Sequence, residues 1–459
     1  MRKNSMNILI VNGSPSGKNS ITLYTALYLE KLFPEQSFSY LNAAQTIHGL
    51  QKDFTPAIEA LNKADLIIFA YPVYTFIAPS QLHSFIRMMK ESVQKGLLDV
   101  RDKAASQITT SKHFYDITAH NYIRDNCFDL GLNYVAGLSA DMDDLLKTKG
   151  QKQASDWFKH LIWSVENGIF EKPVEHAEKT LIAEINVPEA ADDSKKDKDV
   201  VILVDSSNTN PTLEAMVRRF RAKVPYNTRV IDLGSFLFKG GCLGCFHCAP
   251  KGECIYKDGF EVLLREHIQK TDCIIEAFNI QDHSMGVRFK MYDDRQFCNG
   301  HRTVTMGMPT GYIITGNLDS EENLRVILEG RSQVGGNYIA GIATNQTEPE
   351  KEVDDLAKNL EYVLENGFEQ NTNFYGVGGT KIFRDLIYLM QGLMKEDHRF
   401  YKAHGLYDTF PQKQRGTIFK MKLVGLLMNN PKLMKKAGDK VNEGMVGPYR
   451  KVVDNAKEL

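Results

Sequence analysis

This chain carries no excess of either charge. Over 459 residues, 56 Lys and Arg stand against 57 Asp and Glu, so the formal net charge is −1. No long-range field argues for nucleic acid or an anionic membrane as partner. No apolar run reaches the roughly 20 residues that a membrane-spanning helix needs. The first apolar run, Asn7–Val11, breaks at Asn12–Pro15, which suits a first strand better than a signal peptide. Seven cysteines are present, and four of them crowd between Cys242 and Cys254. That is no disulfide framework; it suits a reducing, cytoplasmic compartment and a metal or redox site. The dinucleotide fingerprint GxGxxG is missing, and so is the lysine of a Walker loop.

The length is too great for one ordinary domain. Apolar content of 42% with 25% charged residues describes a globular protein with enough apolar side chains for two cores. The chain also repeats itself. Ile8–Ser14 (ILIVNGS) returns as Ile202–Asn208 (ILVDSSN), and Lys63-Ala-Asp-Leu-Ile-Ile returns as Lys270-Thr-Asp-Cys-Ile-Ile. Asn133-Tyr-Val-Ala-Gly returns from Asn337, and the Glu-Asn-Gly after Val165 returns after Leu364. The matches are collinear and about one α/β domain apart. They predict two copies of one fold, at 6–185 and 200–375. A linker at 186–199 contains the charged, aperiodic Ala190–Asp199, and a helical extension occupies 376–459.

Within a copy the pattern is strand alternating with helix. Asp65–Ala70 is a continuous apolar run, as expected of a strand buried on both faces. Gln81–Lys90, Asn121–Leu130 and Ser155–Glu166 have helical spacing. Ala105–Thr110 and Val135–Leu138 are predicted strands. This alternation implies a doubly wound parallel sheet, whose ligands sit beyond the carboxyl ends of the strands. In the first copy those loops are Asn12–Thr22, Tyr71–Pro79 and Thr109–His120.

The first loop gathers the hydroxyls of Ser14, Ser16, Ser20 and Thr22 at a helix N-terminus. Free N–H groups there favour a phosphate. Hydroxyls without a positioned metal ligand favour a flavin mononucleotide phosphate over a metal-bound nucleotide. In the second loop two prolines stiffen the backbone, and Tyr71, Tyr74 and Phe76 offer flat faces to a planar ring. The third loop adds hydroxyls, Lys112, His113 and Asp116, and no catalytic acid or base is singled out.

These loops resemble the flavodoxin-like NAD(P)H-dependent FMN reductases. That resemblance spans most of residues 7–170. It implies two tandem flavodoxin-like sheets with FMN in the first and NAD(P)H as co-substrate. The implied cofactor contacts are Ser14, Ser16, Asn19, Ser20, Ile21 and Thr22 at the phosphate. Pro72, Val73, Tyr74, Thr75 and Phe76 border the ring, and Thr110 and Ser111 lie in the third loop.

The second copy departs from this pattern. Its first loop is Asp205-Ser-Ser-Asn-Thr-Asn-Pro-Thr212, where Asp205 is unhelpful to an anion. Phe278–Gly286 stands where the Pro-x-Tyr loop would be. Whether a second FMN binds there is left open. This copy carries an insertion with C-x2-C-x2-C-x5-C spacing: Cys242, Cys245, Cys248 and Cys254. Soft thiolates so close together suit an iron–sulfur cluster or zinc, and bare thiols are a third reading. The spacing is similar to that of the iron–sulfur flavoproteins, which implies these four as ligands of a [4Fe–4S] cluster. Cys127 and Cys273 read as core residues, and Cys298 as a neutral buried thiol. The segment His283–Arg302 reads either as a basic, aromatic pocket or as a stretch packed on the other copy.

In the extension, Phe383–Met394 is apolar at helical spacing, and Thr417–Leu433 is another such run mixed with lysines. They are expected to cover their own domain or a partner subunit more than a membrane. The functional expectation is an FMN-dependent NAD(P)H oxidoreductase. It would pass electrons to a small-molecule or protein acceptor, with a cluster as one route, in a chain that can pair as a homodimer. The alternative is a non-catalytic electron-transfer or redox-sensing module that docks a protein partner.

Overall fold

A computed structural model describes residues 5–175, 179–189, 196–410 and 413–428. The first copy runs β1 (Asn7–Asn12), α1 (Ile21–Leu32), β2 (Ser37–Leu41), α2 (Ile47–Leu50), α3 (Thr55–Lys63), β3 (Leu66–Pro72), α4 (Ser80–Gln94), β4 (Ala104–Ser111), α5 (Asp116–Asp129), β5 (Asn133–Tyr134), β6 (Leu138–Asp141) and α6 (Thr148–Asn167). Its sheet has the order β2-β1-β3-β4-β5, with β6 also on β4, and every pairing is parallel.

The second copy runs β7 (Lys196–Val204), α7 (Pro211–Lys223), β8 (Tyr226–Asp232), α8 (Phe260–Val262), β9 (Cys273–Asn279), α9 (Val287–Arg295), β10 (Pro309–Thr315), α10 (Glu322–Gly335), β11 (Tyr338–Thr344) and α11 (Pro349–Asn366). Its parallel sheet has the order β8-β7-β9-β10-β11. That is the first copy's order again. The fold class is therefore α/β, with two doubly wound parallel sheets. The helices α12 (Phe374–Leu389), α13 (Lys395–Ala403) and α14 (Arg415–Met428) follow.

The central strands are apolar throughout because both their faces are covered. In β1, Leu9 and Val11 pack with Ile67, Phe69, Phe85 and Tyr122 on one face. Ile8 and Ile10 pack with Leu23, Leu29, Phe158 and Leu161 on the other. The first of these cores does not stop at the copy boundary, for Ile327 of α10 belongs to it. Helix α4 packs on α9 and α5 packs on α10. These are equivalent helices of the two copies, so the copies face each other as a dimer's subunits do, inside one chain. Both copies lie in a compact unit that ends at His398; a second, smaller unit begins at Arg399.

Three expectations shift. The strand predicted at Val135–Leu138 is two pieces, β5 and β6, with 135–137 between them. The Ser106 hydroxyl donates to the carbonyls of Val135 (2.8 Å) and Ala136 (3.3 Å), which a ladder would otherwise use. Gly137 presses on β4, where a Cβ would lie 2.3 Å from Gln107 Cγ. The helix expected from Asn121 begins at Asp116. Strand β7 begins at Lys196, inside the stretch read as linker, because Lys196 N–H reaches Pro225 O and its ammonium reaches Glu361. Residues 190–195 of that linker, and residues 429–459 of the extension, lie outside the described residues.

Candidate functional site

The first loop is shaped by Asn12 at the end of β1. Its amide donates to Gly17 O (3.1 Å) and Asn42 Oδ1 (3.0 Å), and its carbonyl accepts from Ser14 N–H (3.1 Å). Ser20 caps α1 by accepting from Leu23 N–H at 3.4 Å. The N–H groups of Ile21 and Thr22 open the first turn, where a helix has no preceding carbonyl to offer. Ser14, Ser20 and Thr22 are buried, Ser16 is half-buried, and Asn19 and Ile21 are exposed. No carboxylate stands in the loop. The Thr22 and Thr110 hydroxyls meet at 2.5 Å, which joins the first loop to the third. Ser111 Oγ accepts from His113 N–H at 2.9 Å.

The second loop turns back on itself. Tyr74 N–H donates to Ile77 O (2.8 Å) and Ile77 N–H to Tyr74 O (3.2 Å). The two residues between, Thr75 and Phe76, have φ of 41° and 73°. This is the geometry of a type I′ turn, made here without glycine. Such strain persists only where the surroundings impose it. Thr118 Oγ1 donates to Phe76 O at 2.5 Å, and Phe76 packs on Phe114 (5.1 Å) and Tyr115 (4.4 Å) of the third loop. Of the three aromatics expected to face a ring, Tyr71 does not. It is fully buried, and its hydroxyl is bound to Gln107 Oε1 (2.5 Å) and Ala119 O (2.9 Å) as a core residue.

In the third loop His113 Nδ1 lies 2.7 Å from Asp116 Oδ2, which also accepts from Ser139. Burial works against the Asp116 carboxylate, but the hydrogen bonds from Ser139 and His113 hold it below the usual carboxylate range. His120 sits on Thr109 Oγ1 at 2.8 Å, and burial lowers its pKa to about 4. It is a neutral, hydrogen-bonded histidine and not an acid at neutral pH.

The second copy roofs these loops. Lys290 Nζ donates to Tyr74 O (2.5 Å), and Asp294 Oδ2 accepts from Ser80 N–H (2.7 Å). The Phe297 ring meets Tyr74 at 5.6 Å. So the His283–Arg302 segment is a turn, the helix α9 and a short 3-10 helix, and it packs on the first copy. The cysteine loop also lies on the first copy: Ser16 Oγ donates to Leu243 O (3.4 Å) and Gln81 Nε2 to Cys242 O (3.1 Å). At Gly244 (φ +62°) a Cβ would lie 2.0 Å from Tyr74 Oη, so only glycine fits between loop and ring. Buried Arg295 anchors the base of this loop through Gly240 O (3.0 Å) and both Asp258 oxygens (2.8 and 2.9 Å).

The extension closes a circuit of rings. Phe383 of α12 meets Phe114 at 4.2 Å and His301 at 4.4 Å. His301 meets Phe297 at 6.3 Å, and Phe297 meets Tyr74. Lys290, Asp294, Phe297 and Phe383 were not among the expected site residues. The i, i+4 spacing of Lys290 and Asp294 in an aromatic stretch was the available signal.

The donor chemistry of the cysteine loop fits an iron–sulfur cluster or zinc. Gly244 N–H points at Cys242 Sγ (3.4 Å), Cys245 is exposed, and Cys248 and Cys254 are half-buried. Among the described residues, however, no three Cys, His, Asp or Glu side chains gather as a metal-binding group. Cys127, Cys273 and Cys298 are buried, and burial raises the Cys298 thiol to about 11.

Residues 6–140 match the model of a family described as NADPH-dependent FMN reductase. An iron–sulfur flavoprotein from Archaeoglobus fulgidus is 25% identical over 173 residues, covering 36% of this chain and 78% of that protein. Among solved structures, the NAD(P)H:(acceptor) oxidoreductase FerB of Paracoccus denitrificans is 16% identical; the match covers 35% of this chain and 98% of that one, with a TM-score of 0.31. An apo NADH:FMN oxidoreductase is 18% identical, covering 35% and 90%, with a TM-score of 0.29.

Proposed function

We propose, from the match of residues 6–140 to the NADPH-dependent FMN reductase model and from the geometry of the loops, that the chain is an NAD(P)H-dependent FMN oxidoreductase with its flavin in the first copy. The observation that carries this reading is the meeting of three strand-end loops: buried hydroxyls at a helix N-terminus, tied by Thr22–Thr110, beside a strained aromatic turn. The phosphate would rest on Ser14, Ser16, Ser20 and Thr22, with Asn19 and the Ile21 N–H at its rim. The ring would lie along Pro72–Phe76, with Thr110 and Ser111 at the third loop. When bound, FMN supplies a ring that takes two electrons from a nicotinamide and yields them singly or in pairs.

The chain's own residues then bind and position. Helix α1 would direct its N-terminus at the phosphate, and the Tyr74–Ile77 turn, whose carbonyls are held by Lys290, Thr118 and the turn itself, would offer N–H groups to the ring edge. The aromatic circuit keeps water from one side. Overall, NAD(P)H loses a hydride, and the acceptor gains two electrons with its protons drawn from the hydride and from water. Cys242, Cys245, Cys248 and Cys254 would hold a [4Fe–4S] cluster, whose chemistry is one-electron transfer. The support for this is their donor type, their spacing and their loop's place on Ser16 and Tyr74.

Steady NAD(P)H oxidation with simple soluble acceptors tests the enzyme reading. A flavin that only a protein partner can reduce would instead support the electron-transfer module.

A further inference from the structure

The duplication leaves two sets of strand-end loops, and the structure equips them differently. In the second copy, the residues at the phosphate position are occupied with one another. Buried Asp205 accepts from Ser207 N–H (3.0 Å) and the Ser207 hydroxyl (2.5 Å). Asp232 accepts from Ser206 N–H (2.9 Å) and the Ser206 hydroxyl (2.6 Å). Asn210 caps α7 and donates to Asn279 (3.2 Å) and Thr315 (2.9 Å). Two carboxylates thus hold the groups that would otherwise meet an anion. The segment 179–189 also lies along the end of β11. Ile182 N–H donates to Asn345 O (2.8 Å), Asn345 Nδ2 to Ile182 O (3.2 Å), and Thr212 Oγ1 to Ala183 O (2.8 Å).

The ring turn is duplicated as well. Gln281 and Ser284 exchange backbone hydrogen bonds (2.9 and 3.0 Å) around Asp282 and His283, both at positive φ. The side chains of this second turn are engaged. Asp282 pairs with Lys90 (3.2 Å), and His283 lies between Asp129 and Glu321, 3.0 Å from each. At the first turn the contacts run the other way. Lys290 Nζ, 2% exposed, reaches Tyr74 O (2.5 Å), Thr75 O (3.4 Å) and Asp294 Oδ1 (2.5 Å), while Asp294 Oδ2 takes Ser80 N–H (2.7 Å). One buried ion pair from the second copy grips both ends of the Tyr74–Ser80 stretch.

We infer that the second copy is a built-in partner and not a second flavin site: the chain holds one FMN, and Lys290 and Asp294 are positioning residues that keep the first copy's ring turn in its strained form. This rests on the reading that Tyr74–Ile77 borders the FMN ring. Within that reading, the asymmetry between the two turns is what decides. The pair acts on backbone carbonyls and an N–H, so it sets the turn's shape without offering a charge to the ring.

The first test counts flavin released from the full chain, reconstituted with excess FMN and freed of unbound cofactor. One FMN per chain is expected, and two would overturn the inference. The second test uses the double variant K290M/D294N, because removing one member alone would leave a buried unpaired charge. Its FMN dissociation constant is expected to rise about tenfold, with a shifted flavin midpoint potential. K290R is expected to restore part of the affinity. A role confined to holding the fold together would lower the melting temperature and leave the potential of bound flavin unchanged. Parent affinity and parent potential in the double variant would overturn the positioning role while leaving the flavin site in the first copy intact. A parent chain that binds no FMN at all would overturn both.

Discussion

Thr22 and Thr110 join two strand-end loops through a single hydrogen bond. Their hydroxyls meet at 2.5 Å between the loops that follow β1 and β4. Replacing both by Val removes donor and acceptor together, so no buried polar group is orphaned and stability should change little. FMN affinity is expected to fall about tenfold, ~1.4 kcal/mol, in a fluorescence titration; unchanged affinity would move the phosphate elsewhere. His283 poses a different residue-scale question. Burial disfavours its charge, yet the hydrogen bonds with Asp129 and Glu321 win and raise its pKa from 6.5 to about 10. Lys90, Asp282 and Asp125 also face this group. A raised folded-state pKa means the stabilisation is fully present below pH 6.5 and is lost as pH rises through about 10. H283A should therefore cost roughly 2 kcal/mol near neutral pH, allowing for partial exposure. Urea melts should show the gap to the parent closing by pH 10 or so; a gap independent of pH would contradict the ion-pair origin.

Among the elements, α12 gives the extension a place. Tyr115 Oη donates to Tyr375 O at 3.1 Å, and a Cβ on Gly379 would lie 2.6 Å from Val334 and 2.9 Å from Phe114. G379L should lift α12 from the third loop and expose it to limited proteolysis. F383A should keep the helix in place and raise KM for a flat acceptor such as a naphthoquinone severalfold, with kcat nearly unchanged, because one wall of the ring circuit is lost. F374A, at a fully solvated position 84% exposed, is the control. The elements differ in how readable they are from sequence. The Ile/Val runs of β1, β3, β7 and β9 and the repeated Asn-Tyr and Glu-Asn-Gly pieces announce two doubly wound sheets, since strands buried on both faces leave an apolar signature. Strand β2 at the edge, half-buried and polar in alternation, gives no such signal. Tyr71 reads as a ring-facing aromatic together with Tyr74 and Phe76, but it is still inside β3, which is buried on both faces, and so lies in the core. The i, i+4 spacing of Lys290 and Asp294 pairs them with each other, but it does not show what they hold, which lies more than 200 residues away in the chain.

For the molecule as a whole, α4 and α5 of the first copy are covered by α9 and α10 of the same chain. The cysteine loop of the second copy rests on Ser16 and Gln81 of the first. Anaerobically prepared chain is expected to carry about four irons, and C245S, altering an exposed thiol, should lose them and melt no lower than the metal-free parent. Zinc or no metal in the parent would remove the cluster and leave the flavin reading standing. That reading meets its most direct test in a single anaerobic titration. FMN-reconstituted chain is mixed with NADH or NADPH while the yellow absorption of oxidised flavin is followed. Bleaching within the turnover time, and its return on adding an acceptor, is the expected result. A chain that stays colourless after reconstitution, or whose bound flavin neither nicotinamide can bleach, would contradict the assignment.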